Sequence, residues 1–69
     1  MRYVFILKDD RALVFDEVGA KEWLMEVFPA NWPIIVLRQE GEHTWERIVP
    51  ELVWSNSARK YVINWQYYT

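Results

Sequence analysis

No cysteine occurs anywhere in the 69 residues, so neither a disulfide nor a thiolate zinc site is available to staple the fold. Its absence also fits a reducing compartment. Glycine is nearly as scarce, and two residues cannot build a phosphate-cradling loop. The single histidine, His43, sits among carboxylates in Glu40-Gly41-Glu42-His43-Thr44-Trp45-Glu46. A catalytic zinc needs about three protein ligands, and strand alternation sends residues 43 and 46 to opposite faces. His43 therefore reads as an exposed turn residue. Ser55 and Ser57 have no histidine near them in sequence to activate a hydroxyl. The paired acids Asp9-Asp10 and Asp16-Glu17 fall where a turn and a helix start favour carboxylates. Nothing here points to an enzyme, a metal or a cofactor.

Long apolar runs are missing too. No segment approaches the roughly 20 apolar residues that cross a membrane. The N-terminal run Tyr3-Val4-Phe5-Ile6-Leu7 is cut off by Lys8-Asp9-Asp10-Arg11, too early for a signal peptide. The expectation is a soluble cytoplasmic protein with no membrane partner. What is abundant is aromatic mass: five Trp, four Tyr and three Phe. A chain this short buries only about 60% of its unfolded surface, and large rings fill a small core with few residues.

Taken in order, the chain predicts a single α+β domain over residues 1–69. Residues 2–15 form a hairpin around the polar turn 8–11, and the first strand, apolar on both sides, is expected to be central and covered twice. Asp16 is the expected N-cap of a helix over 16–28, with Gly19 weakening its first turn. Ala20, Trp23, Leu24, Val27 and Phe28 share one face of that helix, and Lys21, Glu22 and Glu26 the other. Pro29 stops it, and Trp32 pins the corner that follows. Residues 34–37 read as an interior strand, with Gly41 offering a positive φ in the turn after it. Residues 44–49 return. Pro50 marks a bulge, edge or end, and 51–54 is a bent continuation or a helical turn. The last strand alternates Tyr61, Ile63, Trp65 and Tyr67 on one face with Val62, Asn64, Gln66 and Tyr68 on the other. The order is β-β-α-β-β-β, a mostly antiparallel sheet with one amphipathic helix on one face. A small barrel with an inserted helix is the alternative.

Counting faces gives the functional expectation. One three-turn helix covers one side of a small sheet, and Tyr61, Ile63, Trp65 and Tyr67 are assigned beneath it. Val4, Ile6, Val14 or Leu13, two of the 34–37 run, Val62 and Tyr68 are then left on an uncovered apolar face, and such a surface marks an interface. The leading reading is a small non-enzymatic interaction protein, in size and style like the regulators and inhibitors that phages and mobile elements carry. Its partner is a protein, with a homodimer as one form. The candidate contact residues are Val62, Asn64, Gln66, Tyr68, Val4 and Ile6 on the sheet, and Glu22 and Glu26 on the helix rim.

Charge supplies two alternatives. Residues 9–26 carry six acids against two bases, and residues 52–69 carry Arg59 and Lys60 with no acid, within a net charge of −2. The acids suggest a nucleic-acid mimic directed at a DNA-handling protein. The basic segment, with its aromatics, suggests weak single-stranded nucleic-acid binding, with Arg2 and Lys8 adding charge from a neighbouring strand.

Overall fold

The computed structural model describes residues 1–68. Strand β1 (Tyr3–Ile6) and β2 (Ala12–Phe15) form the first hairpin, α1 spans Glu17–Glu26, and a 3₁₀ turn covers Pro29–Asn31. Strands β3 (Ile35–Gln39), β4 (Trp45–Ser55) and β5 (Lys60–Tyr67) follow. The sheet order is β2-β1-β3-β4-β5 with every pairing antiparallel. This is an α+β fold in one open sheet, so the barrel alternative does not hold. Among the described residues no helix is long and apolar enough to cross a membrane.

The turn chemistry explains the first hairpin. The Asp10 N–H donates to the Leu7 carbonyl, and Asp10 then adopts φ 66°, a left-handed conformation that Asp tolerates better than most residues. Asp16 caps α1 as expected, its Oδ1 accepting from the Gly19 N–H at 2.7 Å. Gly19 does not delay the helix, which begins at Glu17. A Cβ on Gly19 would stand 3.0 Å from that same Oδ1 and 3.4 Å from the Phe15 ring, so the glycine keeps the cap uncrowded. Helix α1 ends at Glu26, two residues short of the expected Phe28. Val27 is already extended, and Phe28, just ahead of Pro29, points into solvent at 79% exposure rather than joining the core. Trp32 does pin the corner: its indole N–H donates to the Leu24 carbonyl at 3.0 Å while its ring packs on the core.

The core lies between α1 and one face of the sheet. Tyr3, Phe5, Leu7, Val36, Ile48 and Ile63 rise from four strands to meet Ala20 and Leu24. The sheet is curled around them. Tyr3 and Trp65 stack at 5.0 Å, although β3 and β4 lie between their strands. Flat strands would separate them by roughly 14 Å at about 4.8 Å per step. The helix meets both ends of the curl, packing against β2 and β5. Strand β1 is interior as expected, but its second face is not covered: Val4 and Ile6 stay half-buried.

Beneath the helix the terminal strand is only half core. Ile63 is buried and Trp65 packs against the core, but Tyr61 and Tyr67 are 56% and 68% exposed. The helix is too short to shelter both ends of an eight-residue strand. Residues 51–54 are strand, not a helical turn, and β4 runs unbroken through Pro50. The register explains how. Arg47 offers its carbonyl to Tyr68 in the direction of β5, so by alternation Pro50 faces the β3 side. Pairing with β3 stops at Ile48. The donor that proline lacks would have had no partner there. Gly41 has no positive φ; among the described residues the left-handed ones are Asp10 and Arg59.

Candidate interaction surfaces

Three surfaces remain once the core is filled: the sheet face away from α1, the outer edge of β5, and the charged rim.

The sheet face away from α1 is built by strand alternation. Register places Val14, Val4, Leu37, Arg47 and Tyr68 in one row, and Ala12, Ile6, Ile35, Val49 and Gln66 in the next. Six aliphatic side chains, Val14, Val4, Leu37, Ile6, Ile35 and Val49, thus adjoin one another across four strands. Among the described residues no second layer covers them, and Val14 and Val49 are openly exposed. The patch is bounded by polar groups that satisfy each other. Arg47 lies 3.8 Å above the Tyr68 ring, and Gln66 donates to Glu51 at 2.8 Å.

The expected contact residues Val4, Ile6, Val62, Asn64, Gln66 and Tyr68 all fall on this face, but they are not adjacent. Two strands, β3 and β4, separate β1 from β5. Ile35 and Leu37 are the two of the 34–37 run that share this face, and with Val49, which sequence alone did not place there, they form its aliphatic centre. The signal for Val49 was present in the alternation of Trp45, Arg47 and Val49. It became readable only with the pairing partners known.

The second surface is a groove of about 400 Å³ between α1 and β5, lined by Lys21, Glu22, Met25 and Glu26 and by residues 60–63. Consecutive strand residues point to opposite faces. Four in a row can line one groove only along the strand's edge, so the groove opens onto backbone. Glu22 and Glu26, the expected rim residues, form its helical wall. Neither makes an ion pair or side-chain hydrogen bond among the described residues.

The acidic rim is otherwise occupied by structural duties. Asp9 pairs with Arg11 at 2.6 Å, Asp16 caps α1, and Glu17 pairs with Lys21 at 3.3 Å. Burial pushes the Asp9 carboxyl up, but the hydrogen bonds from Arg11 outweigh it and hold the group below its usual range. On the basic side, Arg59 and Lys60 lie in and beside the β4–β5 turn, near an edge-on pair of exposed rings, Trp54 and Tyr61, 5.3 Å apart. Arg2 and Lys8 flank β1, which is not a neighbour of β5. The outward Tyr68, one of the aromatics of that basic segment, already carries Arg47 on its ring.

The densest charge cluster bridges β3 and β4 on the helix side. Arg38 holds Glu40 at 2.7 Å and Glu46 at 2.6 Å. Burial pulls the guanidinium's pKa down, but the bonds to both carboxylates more than reverse that and raise it. The hydrogen bond from Arg38 keeps the Glu40 carboxyl below its ordinary range. Among the described residues no three His, Asp or Glu side chains gather in a metal-holding group. No family model matches the chain, and no curated protein or solved structure matches it either.

Proposed function

We propose that the protein is a non-enzymatic interaction module that docks a protein partner on the open face of its sheet. The observation that carries this reading is the contiguous aliphatic patch Val14, Val4, Leu37, Ile6, Ile35 and Val49, with no second layer over it. At roughly 4.8 Å per strand it spans most of the width of the sheet, which is the scale at which exposed apolar surface marks an interface rather than scattered residues. A polar border around an apolar centre is the arrangement of interfaces in general. The patch carries no charge at its centre, which favours a protein over a nucleic acid as the occupant, since nucleic-acid affinity rests on cations along a phosphate track. A regulator or inhibitor working by occlusion needs no more than this.

The test uses residues whose exposure makes them safe to change. Val14→Lys combined with Val49→Lys places two cations in the patch without touching the core. The wild-type protein is expected to bind a hydrophobic dye and to retain a protein partner from its host lysate. The double variant is expected to keep its circular dichroism and its thermal midpoint, and to lose both. Equal dye binding and the same captured protein in wild type and variant would refute this role for the open face.

A further inference from the structure

The outer edge of β5 carries an inference separate from the open face. Alternation fixes its hydrogen-bonding sides. Tyr68 donates to Arg47, so Gln66, Asn64, Val62 and Lys60 turn their backbone groups toward β4, and Tyr61, Ile63, Trp65 and Tyr67 turn theirs outward. Among the described residues those outward groups meet no other strand. The segment Tyr61–Tyr67 contains no proline and no charged side chain, and its ladder to β4 has no bulge. It therefore lacks the usual devices that keep sheet edges apart. An uncharged, β-branched and aromatic edge of this length either pairs in a closed way or aggregates.

We propose that β5 pairs antiparallel with β5 of a second copy about a two-fold axis at Asn64, joining two sheets into one of ten strands. The sequence is self-complementary in this register. Tyr61 faces the partner's Tyr67, and Ile63 faces the partner's Trp65, so the two tyrosines left exposed by the short helix are covered together. Each of the four outward residues supplies one donor and one acceptor, so the symmetric ladder holds eight backbone bonds. On the helix side the partner's Tyr67 enters the 400 Å³ groove beside Met25, where the carboxylates of Glu22 and Glu26 await a hydroxyl donor. The joined sheet ends in two copies of β2, an edge of only four residues. The pairing thus closes at two copies.

The register makes a specific demand. Asn64 meets its own copy in a non-hydrogen-bonded pair, where Cα atoms are about 4.5 Å apart and a disulfide fits without strain. The chain has no other cysteine. Asn64→Cys is expected to form a covalent dimer under mild oxidation, and Val62→Cys, which faces the partner's Gln66, is not. Tyr61→Pro and Tyr67→Pro remove outward donors only and leave the β4 ladder whole. By symmetry each deletes two intermolecular bonds, and each is expected to weaken self-association more than about tenfold in sedimentation equilibrium. A wild-type monomer at millimolar concentration, a dimer indifferent to both prolines, or cross-linking through position 62 instead of 64 would each overturn the proposal. So would a β5 edge filled by an extended segment of another protein. The open-face variants Val14→Lys and Val49→Lys leave this edge untouched, so the two readings fail separately.

Discussion

Arg59 holds φ at 53° in the loop that joins β4 to β5, its N–H donating to the Ser55 carbonyl at 2.7 Å. Left-handed backbone costs an ordinary L-residue about 1–2 kcal/mol, a cost that glycine does not carry. Arg59 is exposed and makes no ion pair among the described residues, so nothing local offsets this. Arg59→Gly is therefore expected to raise stability by about 0.5–1 kcal/mol, less whatever the more flexible unfolded chain takes back. A higher urea midpoint with an unchanged slope is the check; a lower midpoint would mean the arginine side chain stabilises the turn. Asp10 shares the conformation at less cost, because a short polar side chain suits it. The two cases show what was legible at this scale. The Lys8–Arg11 turn was readable because Asp is a turn residue by chemistry. An arginine in the left-handed region has no sequence signal, and Gly41, the obvious candidate, does not use its freedom.

Among the elements, order and type were legible almost throughout, because each rests on a local period: two for the strands, between three and four for α1. Three things were not. The helix ended before Phe28: Pro29 pushes Phe28 out of the α region, and Val27 ahead of it is already extended. Strand β4 crossed Pro50 because the neighbouring strand had already run out, a fact of pairing and not of composition. The neighbours of β5 depended on which hairpin packed where, so Val4 and Tyr68 were assigned to one face correctly, while which two of residues 34–37 joined them was open and Arg47 between them went unplaced. Strand pairing also explains the Arg38 cluster, since Arg38 stands opposite Glu46 on β4. Its pH signature follows from Glu40. That carboxyl is held below its usual value of 4.5 by the hydrogen bond from Arg38. Stability from this contact is fully present above the unfolded value and is lost as pH falls below it and through the lowered folded value. Arg38→Met is expected to make the urea midpoint fall less steeply than wild type below pH 4.5. Parallel acid limbs would show that the cluster contributes nothing to folding, the usual result for an exposed pair.

For the whole molecule, the question is whether the eight buried residues among those described suffice. A sheet of five strands with one ten-residue helix covers one face and leaves the other bare, in a chain with no disulfide. Small domains in this position draw stability from association. If the β5-paired dimer is the main folded species, its stability depends on concentration, because a tenfold rise in protein adds about 1.4 kcal/mol per dimer, or about 0.7 kcal/mol per chain. For a domain of this size that shifts the thermal midpoint by about 3–5 °C per tenfold. Tyr61→Pro should lower the midpoint and also flatten its dependence on concentration, whereas a purely local defect would lower it and leave the slope. Adding Val14→Lys and Val49→Lys should leave that slope as it is in wild type, because the open face takes no part in the two-fold ladder. Edge and face then divide the labour: the edge joins two copies, and the joined sheet presents two aliphatic patches side by side to whatever protein they cover.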